Sequence, residues 1–186
     1  MPVIRTTLIE GYDDKTLQNL ATRLTDAARS AIGAPLDGIT VTIEEVKPAG
    51  YMRGRQSRIP GKPQPGAADL VRAFLDAMEA RDLKAAKAYL ADGFSMTFPG
   101  GVVFEKLEDL TAWAKDRYRF VHKTYERFDE CFDGNKILIY CSGTLNGEWP
   151  DGATFDDIRF IDRFEIEDGK LTDQKVWNDL GENAKV

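Results

Sequence analysis

The segment Arg58-Ile-Pro-Gly-Lys-Pro-Gln-Pro-Gly66 puts three prolines and two glycines into nine positions. Proline has a fixed φ and no amide proton, so such a stretch neither continues a helix nor joins a sheet. It reads as an extended linker. The 186 residues are therefore expected to fold as two modules, residues 1–58 and 67–186, joined by 59–66. Charge divides at nearly the same place. Residues 1–62 hold nine Lys/Arg against seven Asp/Glu, and the rest hold sixteen against twenty-four. The acidic second half argues against a nucleic-acid partner. The basic excess is local, in Lys47, Arg53, Arg55, Arg58 and Lys62, and suits a small anionic substrate.

No run approaches the roughly 20 apolar residues of a membrane span, and no secretory signal is visible at the start. Two cysteines and one histidine are too few for a disulfide framework or a His-rich metal site. The expectation is a cytoplasmic protein with no membrane partner, metal or cofactor.

In the first module Val3 to Ile9 is short and β-branched, a strand. Asp13 or Asp14 can cap the helix that follows. Leu17, Leu20, Ala21, Leu24, Ala27, Ala28 and Ile32 keep helical three-four spacing. Gly33 ends that helix and Pro35 prevents its continuation. Ile39, Val41 and Ile43 then alternate with polar residues as a second strand. The connection is long enough to make the two strands parallel. Pro48 to Gly54 reads as a turn or short hairpin. A β-α-β unit of about 60 residues buries too little apolar surface to stand comfortably alone, so a homo-oligomer is expected.

The second module opens with two amphipathic helices, Ala67–Ala80 and Leu83–Leu90. A strand, Phe94–Phe98, ends at Pro99-Gly-Gly, and a third helix spans about Leu107–Tyr118. Strands follow at roughly 123–132, 136–148, 154–166 and 171–178, separated by Asp133-Gly-Asn, Trp149-Pro-Asp-Gly and Asp168-Gly. Helices followed by a strand meander indicate an α+β fold with helices on one face of a curved antiparallel sheet. Cys131 and Cys141 lie in strands and read as small buried apolar groups. His122 reads as an exposed loop or strand-edge residue.

Proline at position 2 has a chemical consequence. Removal of Met1 leaves a free secondary amine, whose pKa falls in low-dielectric surroundings. Such a base can take a proton from a carbon next to a carbonyl and return it elsewhere. If Met1 is retained, the nitrogen is an amide without basicity. The run Pro2-Val-Ile-Arg-Thr-Thr-Leu-Ile-Glu-Gly11, the amphipathic helix, Ala34-Pro35-Leu36 and Val41-Thr-Ile-Glu-Glu-Val46 resemble the 4-oxalocrotonate tautomerase family over about residues 2–56. The resemblance implies a β-α-β protomer that assembles into dimers and trimers of dimers, with Pro2 as general base in a pocket between protomers. The family sets two arginines and an aromatic residue around that proline. Tyr51 falls where the aromatic belongs, but Tyr12 and Thr40 stand where the arginines would be. Neither replaces a bidentate guanidinium, so a dicarboxylate substrate is not expected. Arg53 or Arg55 is the candidate for a relocated cation, and Tyr12 can hydrogen-bond an enolate oxygen.

In the second module, Thr144-Leu-Asn-Gly-Glu-Trp149, Ile158-Arg-Phe-Ile-Asp-Arg-Phe164 and Val176-Trp-Asn-Asp179 resemble the SnoaL-like group of the nuclear-transport-factor-like superfamily, over about residues 67–180. That resemblance implies a cone, three helices against a bent sheet (cystatin-like α+β), around an apolar pocket, often dimeric through the sheet. It fixes fold more than activity. Ile158, Phe160, Asp162 and Phe164 share one strand face, which makes Asp162 a carboxylate on an apolar face. It either works as an acid–base group with a raised pKa or is tied to Arg159, Arg163 or a neighbouring strand's cation. Trp149, Trp177 and Asp179 complete the candidate pocket of this module; each also has a plain reading, as core or interface aromatics and a terminal carboxylate.

The expected function is a tautomerase or isomerase acting on an enolisable small-molecule carbonyl compound, with Pro2 moving the proton and Tyr12, Thr40, Tyr51 and Arg53 around the substrate. The alternatives are a proline-dependent dehalogenase or decarboxylase, and a non-catalytic ligand-binding or assembly protein.

Overall fold

The structure, a computed structural model, describes residues 1–61 and 65–183. The middle of the expected linker, 62–64, therefore lies outside the described residues. The chain forms two compact units, one on each side of that segment.

The first unit is β-α-β. Strand β1 (Val3–Ile9) pairs in parallel with β2 (Thr40–Val46), in register from Val3↔Thr40 to Ile9↔Val46. Helix α1 (Asp14–Ile32) makes the crossover. Its N-terminus is capped by Asp13, whose Oδ1 accepts from the Thr16 N–H at 2.8 Å. Its C-terminus closes at Gly33, which takes φ +65° while its N–H donates to the Arg29 carbonyl, a conformation glycine adopts without penalty. A turn at Pro48–Gly50 leads into a two-residue hairpin, β3 (Met52–Arg53) with β4 (Gln56–Ser57). Its turn residues Gly54 and Arg55 both have positive φ, as the tightest hairpins require. None of this unit's described residues is buried, so the protomer by itself has no closed core.

The second unit contains α2 (Ala67–Glu79), α3 (Leu83–Lys87), α4 (Leu107–Lys115) and a last turn, α5 (Leu180–Asn183). Its sheet comprises β5 (Leu90–Phe98), β6 (Val102–Phe104), β7 (Phe120–Asp133), β8 (Lys136–Glu148), β9 (Thr154–Glu167) and β10 (Lys170–Asn178), in the order β6-β5-β10-β9-β8-β7. This is the sheet-plus-helix arrangement expected, with three differences. The sheet is mixed rather than wholly antiparallel, because β10 runs parallel to β5. Helix α3 stops at Lys87, since Leu90 already pairs with Leu171 at the start of β5; sheet pairing overrides the helical spacing of Leu83, Ala86 and Leu90. Cys131 is exposed and only Cys141 is buried.

The core forms where α2 lies on the sheet. Phe74 packs edge-on against Phe94 and Phe164, with ring centroids 6.3 and 6.0 Å apart. Each such fully buried side chain contributes roughly 1.5–3 kcal/mol. Register shifts between Tyr125 and Arg127, and between Leu145 and Gly147, are bulges that bend the strands. Gly143 and Gly147 let β7 and β8 close at these bends: a Cβ on Gly147 would collide with the Phe120 carbonyl oxygen, and one on Gly143 with the Thr124 carbonyl oxygen. No helix among the described residues is long and apolar enough to cross a membrane.

Candidate functional site

In the first unit Pro2 immediately precedes β1. Its carbonyl accepts a hydrogen bond from the Thr40 N–H at 3.1 Å, which fixes Pro2 beside Thr40 at one end of the parallel pair. The other named residues lie at the far end. Tyr12 follows the end of β1, and Tyr51 and Arg53 follow the end of β2. Seven strand residues separate the two ends by about 20 Å. At that far end the Arg58 N–H donates to the Tyr51 carbonyl, and Gly11 lies close against Pro60. One protomer thus sets Pro2 beside Thr40 at one end of the parallel pair, and Tyr12, Tyr51 and Arg53 follow the strands past the other end.

Among the cavities of the second unit, two adjoining ones, of about 160 and 310 Å³, share Phe98, Tyr118, Val121 and Lys123 as walls. Strand β7 supplies the alternate positions Val121, Lys123 and Tyr125, and β10 supplies Gln174 and Val176. Lys123 Nζ donates to the Asp162 carboxylate and lies 4.4 Å from the centre of the Phe160 ring. Asp162 is fully buried, and its Oδ1 makes no hydrogen bond that meets the usual distance and angle among the described residues. Burial raises its pKa, against the opposing pull of Lys123 and Gln174. Burial also raises the phenols of Tyr125 and Tyr118 and pushes the Cys141 thiol up to about 12, with the Asp162 charge adding to the shift at Tyr125 and Cys141. Both phenols therefore keep their protons and can donate. Among the described residues no group of three or more His, Cys, Asp or Glu is placed to hold a metal ion.

The four candidates of this unit separate. Asp162 sits on the inner face as its period-of-two pattern indicated, but its partner is Lys123, two strands away. Arg159 instead donates to Asp179 at 2.7 Å, and Arg163 to Glu165. Trp149 lines the larger cavity and packs on Phe155 at 4.7 Å. Trp177 does not belong to the pocket: it is 49% exposed on the outer face, paired in register with exposed Ile161, while its neighbour Val176 points inward. Asp179 likewise lies past the end of β10, held by Arg159 rather than turned to the cavity. Lys123, Tyr125 and Gln174 were not anticipated. The signal for Lys123 was present, as a cation alternating with Val121 and Tyr125 along one strand.

The family profile described as "Tautomerase enzyme" matches residues 2–57, and that described as "SnoaL-like domain" matches residues 71–174. A probable tautomerase of Staphylococcus aureus is 43% identical over 51 residues, covering 27% of this chain and 84% of the relative. Among solved structures, an NTF2-like protein of unknown function from Burkholderia pseudomallei has a TM-score of 0.51 at 19% identity, over 62% of this chain and 92% of that one. The structure of TerC co-crystallized with polyporic acid has a TM-score of 0.53 at 15% identity, over 62% and 93%. These two likenesses concern the fold of the second unit. The chain therefore belongs to the tautomerase family through its first unit and to the SnoaL-like family through its second, and is an isomerase-type enzyme.

Proposed function

We propose that the first unit is a tautomerase for an enolisable carbonyl compound, with the amine of Pro2, freed by removal of Met1, as its acid–base group. The reading is supported above all by the register that fixes Pro2 against Thr40 at the start of β1, in a unit 43% identical to probable tautomerases. Met1 is 94% exposed, open to processing. The amine takes a proton from the carbon next to the carbonyl, giving an enol or enolate, and returns it to the carbon or oxygen that completes the isomer. The chemistry needs no cofactor.

Assembly completes the site in this reading. Thr40 stands beside Pro2, whereas Tyr12, Tyr51 and Arg53 of the same chain are about 20 Å away along the strands, so a neighbouring protomer supplies them. A unit with no buried residue among those described gains its core from the same contact.

The test is phenylpyruvate enol–keto conversion by the intact protein and by Pro2→Ala, with the N-terminus established by intact mass. Loss of roughly 10²–10⁴ in rate on substitution is expected for a general acid–base group. An unchanged rate, or a fully active protein that retains Met1, refutes the assignment.

A further inference from the structure

On the helical side of the second unit, a cleft of about 410 Å³ lies between the α2–α3 turn and the end of α4. Arg81 and Leu83 wall one side, and Thr111, Lys115, Tyr118 and Arg119 are among the residues of the other. None of its lining residues belongs to a strand. Its charge runs against its surroundings. Residues 63–186 hold sixteen Lys/Arg against twenty-four Asp/Glu, a net of −8. The cleft nevertheless has three cations and no carboxylate in its walls. Arg119 is held by Glu148, which commits one of the five N–H donors of a guanidinium. Among the described residues Arg81 and Lys115 have no ion-pair partner. Like charges gathered around one cleft repel until an anion neutralises them.

The backbone carries a second cost at the same place. Arg81 follows Ala80, the C-cap of α2, and has φ +59°. Glycine takes this left-handed conformation freely, whereas a Cβ opposes it. Helices commonly use glycine or asparagine at this position; here the chain spends it on a guanidinium. Strain of this kind persists where the side chain has a task. The Tyr118 phenol lies within the electrostatic reach of Arg81 and Arg117, and burial keeps its proton on. It adds a neutral donor to the cations.

We propose that this cleft binds the phosphate or diphosphate group of a small soluble compound, held by Arg81, Lys115 and Arg119. One guanidinium satisfies a carboxylate, whereas three separate cations suit a group with more than one negative charge. The acidic surroundings repel a polyanionic surface, which favours a ligand small enough to enter the cleft alone. The site is independent of the chemistry assigned to Pro2.

Inorganic pyrophosphate, titrated without metal into the intact protein and followed by calorimetry, is the probe. One pyrophosphate per chain is expected, with affinity that weakens as salt is raised. Arg81→Gly and Lys115→Met should each weaken it roughly 10-fold or more, the loss expected for a hydrogen bond to a charged group. Arg81→Gly also relieves the positive φ, so without ligand its thermal midpoint should equal or exceed the parent's. Weaker binding in an equally stable variant separates a ligand contact from a structural role. Arg127→Met removes an equal charge from an exposed pair on β7 and should leave affinity unchanged. No saturable binding, unchanged affinity in the two cleft variants, or an equal loss in Arg127→Met each overturns the proposal. So does binding to phosphatidic acid vesicles by a protein that does not bind pyrophosphate.

Discussion

Lys123 Nζ donates to the carboxylate of Asp162 across the full width of β8, the strand that separates their own in the sheet. Replacing Lys123 by Met leaves that carboxylate buried and alone, which typically destabilises by roughly 3–5 kcal/mol. Asp162 has a raised pKa in the folded state, so the folded form binds the proton more tightly than the unfolded form. Its penalty is complete above the folded pKa, shrinks as pH falls through it, and vanishes below the ordinary value of 3.8. Lys123→Met removes the charge that opposes this shift. The destabilisation measured by urea unfolding should therefore be larger at pH 7 than at pH 5, and smaller at both for Lys123→Met/Asp162→Leu. A deficit smaller at pH 7 than at pH 5 would show that Asp162 does not remain buried as an unpaired acid.

Cys141 faces the same carboxylate, and Asp162 is its register partner on β9. Its thiol is pushed up to about 12, first by burial and then by the Asp162 charge. Thiolate is the reactive form, so at pH 8 Cys141 should be inert while exposed Cys131 reacts. Titration with a chromogenic disulfide should give one thiol per native chain and two in denaturant. Two fast thiols in the native protein would contradict the burial of Cys141.

The inner face of β9 was legible because its register is regular: Ile158, Phe160, Asp162 and Phe164 alternate without a break, and all four are buried. The partner of Asp162 was not, because reading it requires the strand order β9-β8-β7 and the bulge between Tyr125 and Arg127, neither of which leaves a local mark. The same holds for β5. Its parallel pairing with β10 joins residues about 80 positions apart, and the apolar spacing before it mimics a longer helix. In the first unit the parallel pairing of β1 and β2 was legible from the length of the crossover, and that pairing puts Pro2 and Tyr51 past opposite ends of the strands.

Gly143 gives the bend in β7 a chemical test. A methyl group there has nowhere to go: the obstacles are the Thr124 carbonyl and the Glu126 amide nitrogen, both backbone atoms, which cannot rotate aside like a side chain. Gly143→Ala should cost about 1–3 kcal/mol, the usual penalty of overpacking, read as a lower thermal midpoint. Gly169→Ala is a useful contrast, since nothing lies near its Cβ position and only its φ of +73° opposes the change; about 1 kcal/mol is expected there. Equal or greater loss at Gly169 would mean that β7 and β8 do not approach as closely as described.

Pro2 and Tyr51 lie at opposite ends of the same parallel pair, which makes a strong demand of the intact protein. If substrate meets Pro2 from one chain and Tyr51 or Arg53 from another, native mass should be a multiple of 20.8 kDa. Two inactive variants should also rescue each other. Pro2→Ala chains have an intact far end, and chains carrying Tyr51→Ala with Arg53→Ala have an intact amine. Unfolded together and refolded, they assemble sites that combine the good half of each, so the mixture should recover a fraction of wild-type phenylpyruvate conversion that neither variant shows alone. Mixing without refolding controls for slow exchange of subunits. An active protein that runs as a single chain at low concentration would break the argument, as would mixed assemblies, verified by mass, in which no activity returns.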